Sequence, residues 1–186
     1  MKENLNLPHG VRQRTLNPIH DTRGSLMEAY RAEWFQEEMS NFPAIQWNVS
    51  ISRLGTFRGF HVHDDHYDLL YVLSGQLHLG LQDMRPWSPT YELATLTKLD
   101  ANDHVLICIP PGVAHGFWFE IETTHIYGLT NYWSSAQELI CRWDDIDVKV
   151  AWPFITPQYV SDKDFNAGTF KQMQLSLLER LQPPTI

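Results

Sequence analysis

The 186 residues are enough for one domain with a single core, and the 43% apolar and 12% aromatic content argues for a globular fold and against disorder. A formal net charge of −8 excludes a non-specific nucleic-acid binder, so an anionic ligand needs a local cluster of Arg and Lys set against that background. No apolar run approaches membrane-spanning length, and the N-terminus MKENLNLPHG lacks a signal-peptide core, so no membrane association and a cytoplasmic location are expected. Cys108 and Cys141 sit in no CxxC or zinc-type spacing and read as reduced thiols.

In chain order, residues 32–40 (AEWFQEEMS) predict a short amphipathic helix. Strands are predicted at 44–52, 68–73, 76–82, 104–109, 115–121 and 124–130, each rich in β-branched and aromatic residues. Turn clusters punctuate them at Ser74-Gly75, Trp87-Ser88-Pro89, Asp100-Ala101-Asn102-Asp103 and Pro110-Pro111-Gly112. Many short strands at regular spacing imply a sandwich or barrel, and no linker or repeat divides residues 1–186. Residues 167–181 predict a C-terminal helix with Phe170, Met173, Leu177 and Leu181 on one face, packed onto the barrel.

Chemistry concentrates in Gly55–Gly75, GTFRGFHVHDDHYDLLYVLSG. His61 and His63 are two apart, so a strand would aim both at one face. With Asp68 and His115 they compose a plausible metal set, and the spacing resembles the two motifs of metal-binding cupins with Asp where Glu is usual. The plainer reading makes His63, His66, Asp64 and Asp65 a solvated loop capped by Asp68. His61 also reads as a general base beside Arg58, whose guanidinium suits a phosphate. Tyr127, mid-strand, is either the matching acid or a core residue with a satisfied hydroxyl.

An ordered series of motifs goes further. Asp21-x-Arg23-Gly24-x3-Glu28, Gln46-x-Asn48-x-Ser50 and Arg58-Gly59-x-His61 are followed by Arg85-x2-Ser88-Pro89-Thr90 and Ile109-Pro110-x-Gly112-x-Ala114-His115-Gly116-Phe117. Trp143-x-Asp145, Trp152-Pro153 and Ser161-x-Lys163-Asp164 complete the series. The chain resembles the dTDP-4-dehydrorhamnose 3,5-epimerases from about Asp21 to Asp164. The resemblance implies an all-β, jelly-roll cupin barrel (a double-stranded β-helix) of two antiparallel sheets with a few flanking helices. It implies an isomerase that inverts C3, C5 or both on a nucleotide-diphosphate-linked 4-keto-6-deoxy sugar. No metal or nicotinamide is implied, because the ketone itself acidifies the neighbouring C–H.

By that resemblance His61 is the base, Asp164 the carboxylate that orients it, and Tyr127 the acid on the opposite face. Arg23, Glu28, Gln46, Asn48, Arg58, His115, Glu138 and Lys163 match substrate-binding positions, with Arg23 and Arg58 assigned to the diphosphate. Trp133 stands where the family stacks a tyrosine on the nucleotide base. Two departures stand out: Asp68 aligns with a family lysine near the sugar, and Leu79 with a family aspartate. The alternatives are a metal-dependent cupin enzyme using His61, His63, Asp68 and His115, and a non-catalytic sugar-nucleotide binding domain. The family's usual homodimer, with exchanged N-terminal strands, would place Trp34, Phe35 and Trp47 near an interface.

Overall fold

Alternation of apolar and polar residues along short segments gives the chain strands that bury one face or both. The computed structural model describes residues 6–35, 43–135 and 138–181. Its strands are β1 (Arg12–Thr15), β2 (Ile19–Asp21), β3 (Gly24–Leu26), β4 (Gln46–Ser52), β5 (Phe57–Val62) and β6 (Asp68–Ser74). They continue with β7 (Gln76–Asp83), β8 (Ala94–Asp100), β9 (Val105–Ile109), β10 (Val113–Trp118), β11 (Thr123–Leu129) and β12 (Leu139–Ile140). One sheet runs β1-β9-β6-β11-β4 and the other β12-β5-β10-β7-β8, with β2 and β3 forming a separate hairpin. All strand pairs are antiparallel, as expected for the cupin barrel. Among the described residues no helix is long and apolar enough to cross a membrane.

Between the sheets, Leu70 and Val72 of β6 and Ile107 and Ile109 of β9 meet Leu77, Leu79 and Leu81 of β7. Leu79 is fully buried in this core. Its side chain therefore contributes packing where the family resemblance expects an acid, worth about 1.5–3 kcal/mol of burial. Strand β6 is apolar on both sides. Leu69 and Tyr71 turn outward, where Leu16, Phe35, Leu106 and Cys108 cover them.

On the far side of the second sheet, Phe60, Val62 and Ala114 pack against Phe170, Met173 and Leu177 of helix α2 (Phe170–Arg180). Thr169 starts that helix through a capping box with Gln172. The C-terminal helix and its packing onto the barrel are thus as the sequence predicts. A short α1 (Asp162–Phe165) precedes it, with Ser161 as N-cap.

Two expectations change. The helix predicted at 32–40 is a 3-10 turn over Ala32–Phe35, and its remainder lies outside the described residues. Phe35 is completely buried, and Trp34 is half-buried beneath the Arg14 guanidinium 4.1 Å from its ring centre. Neither is a free aromatic. Trp47 does face outward, beside Val49 and Ile51 on edge strand β4, which are 64% and 65% exposed. Cys108 and Cys141 are buried free thiols.

Candidate active site

The barrel encloses a cavity of about 580 Å³ that His61, Asp68, His115, Tyr127, Glu138 and Asp164 all line. Three sequence features aim these side chains inward. The first is a bulge in β5: His115 pairs with His61 while Phe117 pairs with Arg58, so β5 holds one residue more than β10 across this stretch. The bulge brings Arg58 and His61, three positions apart, onto the same cavity wall. Gly59 makes it feasible, since its φ is +123° and an added Cβ would lie 2.8 Å from the Gly116 Cα.

The second feature is Ser161. Its Oγ accepts a hydrogen bond from the Asp164 N–H at 3.0 Å, which starts α1 and turns Asp164 toward β5. The third is the pairing of β11 with β4, which places Tyr127 opposite Asn48.

His61 is held at both ring nitrogens. Nε2 lies 2.8 Å from Asp164 Oδ1, and Nδ1 lies 3.1 Å from Glu138 Oε1. The other Asp164 oxygen accepts the Gly59 N–H at 3.4 Å. Burial alone would raise the Asp164 carboxyl. Bonds from His61, Gly59 and Ser161 more than offset that burial and hold it below the usual carboxylate range. Asp164 is therefore an anion at neutral pH. Glu138 also pairs through Oε2 with Lys163 Nζ. Burial, reinforced by Asp68, raises the Tyr127 phenol, so it keeps its proton across the neutral range.

A second histidine group lies along the same wall. Asp68 is 7% exposed, and its Oδ2 faces the Nε2 atoms of His63, His66 and His115 at 3.7, 4.0 and 3.9 Å. Burial pushes the Asp68 carboxyl well up and the His63 imidazole well down. It takes His115 down to about 3, with the neighbouring His61 adding to the fall. The solvated loop read from HDDH is therefore incorrect for His66 and for the capping Asp68, which are both buried, while Asp65 is exposed. The metal set read from the sequence also changes membership: His61 belongs to Asp164 and Glu138, while His66 joins His63 and Asp68.

A model of the dTDP-4-dehydrorhamnose 3,5-epimerase family matches residues 7–172, nearly the whole described chain. The chain belongs to that family. Among its curated relatives, the dTDP-4-dehydrorhamnose 3,5-epimerase of Neisseria gonorrhoeae is 32% identical over 161 residues, covering 85% of this chain and 49% of the relative. The chain thus spans about half the length of that protein. The dTDP-4-dehydro-6-deoxyglucose 3-epimerase of Streptomyces bikiniensis is 29% identical over 176 residues, covering 88% and 84%. A crystal structure of the dTDP-6-deoxy-D-glucose-3,5-epimerase from Legionella pneumophila, in complex with dTDP-4-keto-L-rhamnose, superposes with a TM-score of 0.82 at 26% identity. That superposition covers 93% of this chain and 94% of the other. The protein is accordingly an isomerase of the nucleotide-sugar epimerase type on a cupin barrel.

The family frame sorts the remaining residues. His61, Tyr127, Asp164, Arg58, His115, Trp133, Glu138 and Lys163 all line the cavity. Trp133 is 47% exposed, and its backbone N–H donates to Gln46 Oε1 at 3.0 Å, while Gln46 Nε2 donates to Asn48 Oδ1. These three form one polar patch beside the cavity. Arg23 and Glu28 do not join the site within this chain. Arg23 pairs with Asp21 in the β2–β3 turn, and Glu28 with Arg31.

The Arg85-x2-Ser88-Pro89-Thr90 motif is architectural. Arg85, Ser88 and Thr90 all donate to the Asp83 carboxylate at 2.6–2.8 Å and close the turn after β7. Reasoning from sequence missed His66, Arg53 on the cavity wall, and Ser52, whose Oγ accepts from Arg58 Nε at 2.9 Å. His66 carried a signal in the HxHxxHxD spacing. Arg53 and Ser52 carried none.

Proposed function

We propose that the chain inverts a carbon next to the C4 ketone of a nucleotide-diphosphate-linked 4-keto-6-deoxy sugar. The observation that carries this is the part-buried His61–Asp164 pair at 2.8 Å in one cavity with the protonated Tyr127. His61 takes the proton from the carbon, and the C–H electrons move to the ketone oxygen to give an enolate. Tyr127 then returns a proton to the other face of the same carbon, and both groups reset when the tyrosinate takes a proton from solvent and the imidazolium releases its extra proton to solvent. Asp164 fixes the ring and balances the imidazolium, as an acid beside a histidine base does.

Glu138 sets the order of events. A base needs a free lone pair, so Glu138 must release Nδ1 when the sugar is seated. Its existing bond to Lys163 gives it another partner. Arg58 and Arg53 bring cations to the cavity for the diphosphate, and Trp133 offers a half-exposed ring for the nucleotide base.

The proposal extends to a homodimer. Ile19 and Leu26 on the β2–β3 hairpin are 71% and 73% exposed, and the outer face of β4 is apolar. An exchanged hairpin would bury both surfaces and bring Arg23 and Glu28 to a partner's cavity.

The test is incubation with thymidine- and uridine-diphosphate 4-keto-6-deoxyglucose, followed by NMR of the sugar protons. Inversion at C3 or C5 with at least one nucleotide is expected. An unchanged sugar with every nucleotide, by a folded protein, would overturn the reading.

A further inference from the structure

Three imidazoles face one carboxylate where the cavity adjoins a smaller pocket lined by His63 and His66, and their spacing is not that of hydrogen bonds. The three Nε2 atoms stand 3.7–4.0 Å from the Asp68 Oδ2. An N–H···O bond would close to roughly 2.7–3.2 Å. Ligands about 2.0–2.1 Å from a tetrahedral zinc-type ion lie about 3.4 Å from one another. The group lies nearer the second spacing, and the ligand atoms of His63, His66 and Asp68 all fall within 4.8 Å of one another, while His115 stands at the edge of that trio with its Nε2 3.9 Å from Asp68 Oδ2.

The outer nitrogens are arranged for coordination. His66 Nδ1 lies 2.6 Å from Asp65 Oδ1, and Asn131 Nδ2 holds the other oxygen of Asp65 at 2.8 Å. His115 Nδ1 lies 3.3 Å from the Val113 carbonyl. A carboxylate or carbonyl on Nδ1 places the proton there and leaves Nε2 as a bare lone pair, which is how metal-bound histidines are oriented. His66 is 5% exposed, and its Nε2 is buried without a hydrogen-bond partner. The His63 and His66 rings stack with centres 4.1 Å apart, presenting both Nε2 atoms to the same oxygen.

We propose that His63, His66, Asp68 and His115 bind one divalent first-row transition-metal ion, which supplies the positive charge that steadies the enolate. Three neutral imidazoles and one carboxylate suit zinc, cobalt, nickel or iron(II) and give the loaded site a net charge of +1. His115 is the cross-strand partner of His61, so the charge sits beside the base. The second clause rests on the epimerase reading; the first does not.

The experiment uses the full-length chain, purified without a polyhistidine tag and stripped with a chelator. Co²⁺ titration is followed by visible absorption and calorimetry, and Zn²⁺ by competition. One Co²⁺ per chain with a tetrahedral-type spectrum is expected. His66→Ala and Asp68→Asn should abolish that spectrum, and Asp65→Asn should weaken binding by about 10–100-fold, as loss of an orienting partner does. His9→Ala should bind as the parent does. Thermal melts of each stripped variant show that it is folded. No stoichiometric uptake, or uptake unchanged in both ligand variants, overturns the site. Solvent-deuterium exchange into the sugar should fall at least tenfold in the stripped enzyme, and equal rates overturn the role of the charge. Absence of exchange in both forms, with Co²⁺ bound as described, counts against the epimerase reading and leaves the metal site standing.

Discussion

Two histidine–carboxylate groups of the same residue types differ by about an ångström in their nitrogen–oxygen separations. At His61 the imidazole meets Asp164 at 2.8 Å, and the carboxyl is held below its usual range by donors from His61, Gly59 and Ser161. At Asp68 three imidazoles stand 3.7–4.0 Å away, and burial drives the carboxyl up instead. The residue types are the same. What differs is whether a hydrogen bond repays the cost of burying the charge. Where it does, the pair is ready to move a proton. Where it does not, three imidazole nitrogens face one carboxyl oxygen across a gap.

The largest effect that would break this comparison is loss of the base. His61→Asn should lower inversion by about 10³–10⁴-fold, the upper part of the range typical of a positioned acid or base, while nucleotide binding measured by calorimetry persists. Tyr127→Phe comes next. Inversion should drop by about 10²-fold or more, yet the sugar should still take up solvent deuterium, because abstraction by His61 survives. NMR of the same sample reads both quantities. Asp164→Asn should cost about 10²-fold or more, because an amide cannot balance an imidazolium and can hold the ring in the wrong tautomer.

The smallest effect is on stability. His125 is 1% exposed, and burial, with Arg58 adding to it, takes its imidazole down to about 4. Its folded pKa is below the unfolded value of about 6.5, so the unfolded chain binds the extra proton between those values. Stability is therefore full above about pH 6.5 and is lost as pH falls toward 4. His125→Phe, stacking on Phe119 as the imidazole does, removes that loss. At pH 5 the variant should gain up to about 2 kcal/mol relative to its difference from the parent at pH 7, as read by urea titration.

The sequence disclosed much of the barrel because alternation and turn clusters are local. Strands β6, β7, β9 and β11 fall where the pattern places them. Strand β8, ATLTKLD, escaped because only Leu99 on it is fully buried, so its alternation carries little contrast. The bulge in β5 was hidden for another reason. Arg58 and His61 sit three apart, and strand periodicity would aim them at opposite faces. Only the slipped register with β10 shows that both face the cavity. Glu138 on His61 Nδ1 is a contact between residues 77 positions apart in sequence (138 minus 61), and nothing near either residue announces it. His66 was legible as a letter in HDDH but not as a buried group. Its burial depends on Asp65 and Asn131 closing over it.

The central claim is that His61 removes a carbon-bound proton next to a ketone. Its most direct measurement is deuterium wash-in at C3 and C5 of a nucleotide-linked 4-keto-6-deoxy sugar in D₂O, with the parent protein and His61→Asn side by side. The account predicts rapid incorporation by the parent and none above background by the variant. Equal incorporation by the two proteins would contradict it.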